Sequence, residues 1–422
     1  MKTIIKNGLV YINNKFEEVD VLFDNDRIIE IGKDIQKDAD STIDATNKHV
    51  FPGFIDLHSH LRDPGQTYKE DIISGTKAAA KGGFTTICCM PNTDPIIDNI
   101  ATVEYINRKA KDFGFCKVKV IGAMTKKTEG KEIAEIGSMM EGGIVAVSDD
   151  GACIQNAKLL QNVMKYTSSF NIPVIIHAED YNLSKGGQIN AGKMSTKLGL
   201  GGIPGLAEEI IIARNIMIAE KAKCQVHIAH VSTKKAVDII AEAKKNGLRI
   251  TTEVTPHHLL LTEDACENFD TNTKVKPPLR TENDRQAMIK ALNEGIIDFI
   301  ATDHAPHSDF EKEREFNLAP FGINGFETAF ATLYTNLVKK NEMSLEKLIE
   351  VMSEKPANFL KLNSGKIEVG KKADLVIADL NAKISFKSDN IISKANNTPF
   401  IGKTFFGKIT NTFCDGMLKW SN

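Results

Sequence analysis

Residues 54–65 read FIDLHSHLRDPG, with His58, His60 and Arg62 at alternate positions after an apolar run. On an extended strand, side chains two apart share a face, which would set all three on one side. Three basic groups crowded together gain nothing from one another, so the spacing points to an anion or a metal. Polar residues of matching chemistry recur after later apolar runs: Asn92, Asp149 and Asp150, His177, His230, and Asp303 with His304 and His307. Four imidazoles and two carboxylates at one place would form a metal site of nitrogen and oxygen ligands, with zinc the first expectation and other first-row metals next. His49, His227, His257 and His258 are assigned structural roles. Two close cations repel, and an anion between them reduces that repulsion. The SDDG segment (148–151) offers Asp149 and Asp150, and Asp150 is preferred because it lies nearer the loop mouth.

These residues need elements that bring them together. Apolar β-type runs occur at FPGFIDLH, FTTICCM, KVKVIGAM, GIVAVSD, IPVIIHA, CQVHIAH, LRITTEVT and IDFIATD, between residues 53 and 363 or just before. Helical patterns such as KEDIISGTKAAAKGG and LAEEIIIARNIMIAEKAK separate them. Eight strands interleaved with helices predict an α/β fold, a parallel (β/α)8 TIM barrel, and near-continuous apolar strands suit a sheet covered on both faces. Active sites of such barrels form at the C-terminal strand ends, where the candidate metal and carboxylate-binding residues fall. Residues 1–52 instead alternate apolar and polar positions, with DNDR as a hairpin turn, and 364–422 resume the pattern. One small β domain built from both termini is expected.

The 422 residues are 42% hydrophobic and 26% charged, an ordinary globular composition. A net charge of −2 gives no electrostatic footprint for nucleic acid. No apolar run of about 18 residues could span a bilayer, and MKTIIKNGLVYINN lacks the apolar core of a signal peptide. The seven cysteines are scattered without a CxxC pair, which suits a reducing cytoplasm. Cys88 and Cys89 are expected as buried filler.

The stretches HLRDPG, MPNTDP, SDDG, TPHHLLL, KPPLR and DFIATDHAPH run in order over the whole barrel. Together they resemble the amidohydrolase superfamily and, within it, the bacterial type I dihydroorotases. The resemblance implies an amidohydrolase-type barrel over 53–363 with a split β-sandwich from 1–52 and 364–422. It implies His58, His60 and Asp303 on one zinc ion, His177 and His230 on a second, and Asp150 between them, with one or two ions per subunit. Arg62, Asn92 and His307 match binders of the substrate α-carboxylate, with His60 beside them, and Phe321 and Gly322 match backbone contacts to a pyrimidine-type ring. One departure stands out: family members carry asparagine before PPLR, and this chain has Lys276.

The implied reaction is reversible cyclisation of N-carbamoyl-L-aspartate to L-dihydroorotate, with Asp303 moving the proton. The alternatives are a dihydropyrimidinase or allantoinase, of which the hydantoin-type members bridge their metals with a carbamylated lysine, or a non-catalytic partner of aspartate transcarbamoylase. The resemblance leaves open a homodimer and a complex with that transcarbamoylase. The charged segment SDFEKEREFNLAPFG (308–322) reads equally as a solvated loop and as a mobile lid.

Overall fold

The alternating N-terminal pattern folds as β1 (Lys2–Ile12), β2 (Lys15–Asp24), β3 (Arg27–Gly32), β4 (Ser41–Asp44) and β5 (His49–Pro52) in a computed structural model that describes residues 1–421. The turn between β2 and β3 is tight because Asn25 takes a left-handed backbone with φ 49°, which asparagine tolerates better than most residues. The barrel strands follow: β6 (Phe54–Ser59), β7 (Phe84–Cys89), β8 (Lys117–Ala123), β9 (Ala146–Ser148) and β10 (Val174–Ile176). Short strands β11 (Ile189–Asn190) and β12 (Gly202–Ile203) pair in parallel within the long interval before β13 (Val226–Ile228), β14 (Ile250–Val254) and β15 (Phe299–Ile300). The chain returns to the first sheet as β16 (Leu375–Ser385), β17 (Thr404–Cys414) and β18 (Met417–Ser421).

Among the described residues, the eight expected barrel strands pair in parallel in chain order from β6 to β15. The ring is nearly closed by a bridge between Ser59 and His304, where the His60 N–H donates to the His304 carbonyl at 2.9 Å. Every residue of β6 and β7 is buried, as a sheet walled by helices outside and packed side chains inside requires. Ile55, Leu57, Cys88, Ile121, Ile175 and Phe299 fill the interior. Phe54, Phe84 and Ile228 face the helical layer.

The sheet from the termini runs β18-β17-β16-β5-β1-β2-β3, with β4 added beside β1. Its seam is antiparallel pairing of β5 with β16, Phe51 opposite Val376. Ile5, Val10, Phe23, Leu375, Ile377 and Phe413 share one apolar cluster, so both ends of the chain contribute to the same core. A second packing joins this sheet to the barrel. Phe330, on the helix Ala329–Leu333, sits 5.6 Å from Phe51 and 5.2 Å from Phe54 between ring centroids. Truncation there opens a cavity at the junction. Phe330→Ala should lower unfolding stability in urea by about 3–5 kcal/mol, the usual cost of deleting a buried aromatic ring; a loss below about 1 kcal/mol would show that the ring cluster does not join the two parts.

Candidate metal centre and active site

The barrel mouth gathers His58, His60, Asp150, His177, His230 and Asp303, all of them buried. Asp150 is the centre of the group. Its Oδ1 lies 3.3 Å from His58 Nε2, 3.7 Å from His177 Nδ1 and 3.6 Å from His230 Nε2, while Oδ2 lies 3.5 Å from His60 Nε2. Asp303 Oδ1 stands 3.0 Å from His60 Nε2 and 3.5 Å from His58 Nε2. The neighbouring Asp149 turns away: its carboxylate accepts the backbone N–H groups of Met124 and Thr125 at 2.8 and 3.0 Å and caps that turn.

Simple strand alternation does not deliver this arrangement. The pairing of β6 with β7 shifts register between Asp56 and Ser59. Arg62, His230 and Asp303 have φ of 58°, 33° and 47°, a left-handed conformation that is uncommon for residues other than glycine and recurs at functional sites. Arg62 therefore leaves the strand instead of sharing its face with His58 and His60, and reaches the pocket through a turn.

The donor set suits a first-row divalent cation, four nitrogens and two carboxylates converging in a buried place. His58 Nε2 and Asp150 Oδ1 are buried with no hydrogen-bond partner among the described residues, which is costly unless a ligand satisfies them. Three overlapping groups, His58–His230–Asp303, His58–His60–Asp150 and Asp150–His177–His230, each offer ligand atoms within 4.8 Å of one another. On three of the four imidazoles the opposite ring nitrogen is held in place by a partner. Glu253 accepts from His58 Nδ1 at 2.7 Å and from His227 Nε2 at 2.9 Å, Asn92 Oδ1 lies 2.8 Å from His60 Nδ1, and Glu179 Oε2 lies 3.2 Å from His177 Nε2. Such contacts fix ring orientation and leave the other nitrogen for a metal. Glu253 and Glu179 were not anticipated from sequence. A lone charge inside the β-type run ITTEV was the one signal for Glu253.

The electrostatics follow. Burial disfavours the His58 imidazolium, but Asp150, Asp303 and Glu253 outweigh it and hold the group well above its ordinary value. Burial likewise opposes His177, yet Asp150 and Glu179 push it up to about 9. Asp303 and Asp150 are held well below the carboxylate range against their own burial, chiefly by His58. The carboxylates demand positive charge, from protons or from a metal.

Beside this cluster the cavity, about 350 Å³, widens toward a cationic end lined by Arg62, Asn92, Lys276, His307, Phe321 and Gly322. Arg62 Nε donates to the Pro306 carbonyl at 3.2 Å, and its Nη2 lies 3.4 Å from His307 Nε2. His307 donates to the Phe321 carbonyl at 2.9 Å; burial, then Arg62 and two lysines, hold it far below its usual value, so it is neutral. Gly322 has φ 147°, and a Cβ there would meet Ala305 and His307 atoms at 2.8–2.9 Å, so no larger residue fits. Lys276 lines the cavity but pairs with Glu179 at 2.7 Å. His304, although beside Asp303, faces away toward Glu70 and stacks on Phe326 at 4.0 Å. The charged segment 308–322 is laced to the body by two buried lysines. Lys312 donates to the Thr271 and Pro320 carbonyls at 2.8 and 2.9 Å, and Lys274 donates to the Phe316 and Ala319 carbonyls at 2.7 and 2.6 Å.

Because an imidazole must be neutral to ligate, a divalent cation held by His177 below pH 9 would have to displace its proton. Apparent affinity for Zn2+ should fall as pH drops from about 9 toward 6, by up to tenfold per unit for each proton displaced. Calorimetric titration at pH 7 in two buffers of different ionisation heat should reveal proton release. Uptake without release would mean that the imidazoles are not the ligands.

Residues 49–419 match the model of the amidohydrolase family. A dihydroorotase from Caldicellulosiruptor saccharolyticus is 48% identical over 98% of this chain and 97% of its own length. One from Staphylococcus epidermidis is 43% identical over 98% of both chains. Among solved structures, L-hydantoinase (dihydropyrimidinase) from Arthrobacter aurescens superposes with a TM-score of 0.90 at 26% identity, covering 99% of this chain and 95% of that one. With the family model spanning the whole barrel and relatives matched over nearly the full length, the chain belongs to the amidohydrolase family.

Proposed function

We propose that this protein is a dihydroorotase, interconverting N-carbamoyl-L-aspartate and L-dihydroorotate in pyrimidine synthesis. The observation that carries the reading is the cationic end of the cavity, Arg62 beside His307, adjoining the buried donor cluster. A ring amide bearing a carboxylate needs both features at once. Relatives named dihydroorotase at 43–48% identity over nearly the full chain support it. The hydantoinase-like fold neighbours raise the alternative of a neutral ring substrate, which would leave Arg62 without an anion.

His58, His60 and Asp303 would hold one zinc ion and His177 and His230 a second, with Asp150 shared; its oxygens facing all four imidazoles support two ions. When bound, the metal supplies Lewis acidity, acidifying water and polarising the amide carbonyl. Arg62 and the Asn92 amide grip the α-carboxylate, and neutral His307 joins them by turning its one N–H from the Phe321 carbonyl toward it; a guanidinium can hold a carboxylate through two parallel hydrogen bonds. Phe321 and Gly322 present backbone to the ring. Lys276, tied to Glu179, adds positive charge at the cavity wall in place of an amide. Asp303 starts ionised and so serves as base. In the hydrolytic direction it takes a proton from the attacking water and returns it to the ring nitrogen as the C–N bond breaks. In the synthetic direction the carbamoyl nitrogen attacks the side-chain carboxylate carbon and water departs. The seven buried free cysteines suit a cytoplasmic enzyme.

Zinc-loaded protein should turn over carbamoyl aspartate and L-dihydroorotate, and dihydrouracil and allantoin far more slowly. A preference for either neutral ring would overturn the assignment. Asp303→Ala should lower kcat by at least about 10²-fold, the lower end of what general acid–base catalysis supplies, and near-normal turnover with metal retained would remove Asp303 from that role.

A further inference from the structure

The segment between β16 and β17 leaves the terminal sheet and crosses to the barrel mouth before returning. At its centre lies Asn397, 2% exposed. Its Nδ2 donates to the Ala305 carbonyl at 2.9 Å and to the Gly322 carbonyl at 3.1 Å, and its Oδ1 accepts the His307 backbone N–H at 3.1 Å. Its own carbonyl accepts the Asn324 N–H at 2.9 Å. One side chain thus joins the two segments that form the cationic end of the cavity, 305–307 and 321–322.

We infer that Asn397 is a positioning residue for substrate capture, and that the excursion from the terminal sheet completes the pocket although, among the described residues, it makes no hydrogen bond to the six clustered histidine and aspartate side chains. The inference rests on the dihydroorotase reading. Ala305 and Gly322 both line the cavity, and an unpaired carbonyl there would repel a carboxylate. The Asn397 amide occupies both carbonyls and, through the His307 backbone, fixes the imidazole beside Arg62. Only a primary amide offers two donors and an acceptor in this span. Aspartate would keep the acceptor and set a second oxygen against two carbonyls.

The excursion has other anchors, so losing this side chain does not detach it. The Ile392 and Ser393 N–H groups donate to Glu327 at 3.0 and 3.1 Å, Glu327 pairs with Lys81 at 2.9 Å, and Phe386, Phe400 and Phe405 form an apolar cluster.

The test compares zinc-loaded parent, Asn397→Ala and Asn397→Asp on L-dihydroorotate, with zinc content and thermal midpoint measured on each sample. Asn397→Ala should raise KM roughly tenfold, the scale set by losing one or two ordinary hydrogen bonds, with kcat within about threefold and zinc content unchanged. Asn397→Asp should raise KM further. A variant with a lowered midpoint but parental KM, or one losing kcat at parental KM, would overturn the inference and leave Asn397 a stabilising residue. An inactive parent would remove the dihydroorotase reading itself, whereas an active parent with unaltered variants removes this inference alone.

Discussion

The mouth of the barrel is organised around one buried carboxylate, Asp150, set among four imidazoles. Burying a charge is costly unless it is paired, and here each oxygen of Asp150 faces nitrogen donors that can share a cation with it. The same demand spreads outward. Glu253 and Glu179 bind the far side of His58 and His177, and His227 and Lys276 bind those carboxylates in turn. Alternating positive and negative groups therefore run from the cavity wall into the barrel interior. Removing any one of them leaves its neighbours desolvated and unpaired, which ties the shape of the site to its charge balance.

The fold makes that convergence affordable. Parallel strands held in a near-closed ring bring residues 58, 150, 177, 230 and 303 to one end because they occupy equivalent strand termini. The terminal sheet is no passive appendage. Its β5–β16 seam binds the two chain ends together, Phe330 joins it to the barrel, and its excursion reaches the pocket at Asn397.

Much of this was legible in the sequence, for physical reasons. Barrel strands are apolar on both faces and stand out as short runs between amphipathic helices, so all eight were found. Polar residues that end such runs are conspicuous, and His58, His60, His177, His230 and Asp303 were named on that basis. The choice of Asp150 over Asp149 rested on a thin argument, and the backbone amides that occupy Asp149 were invisible in the sequence. The alternation argument for Arg62 misjudged the path, because a left-handed residue ends the strand pattern. Glu253, Glu179 and Asn397 escaped notice since their importance lies wholly in what they touch, at sequence separations of 195 residues between Glu253 and His58 and 90 between Asn397 and His307. The 308–322 segment exposes Asp309, Glu313, Arg314 and Glu315, as a solvated loop would, yet Lys312 turns inward and Lys274 reaches it from the body, both donating to backbone carbonyls, where burial and mutual repulsion push Lys312 down to about 7. A run of charges in sequence says nothing of which one points inward.

The central claim is that Asp150 and the four imidazoles hold metal jointly. X-ray data collected at the zinc absorption edge from zinc-soaked crystals test it most directly. The account predicts anomalous density between His58, His60 and Asp150 and again between Asp150, His177 and His230, with nitrogen and oxygen donors at about 2.0–2.2 Å. Ordered imidazoles still hydrogen-bonded to the carboxylates, with zinc absent or bound elsewhere, would contradict it.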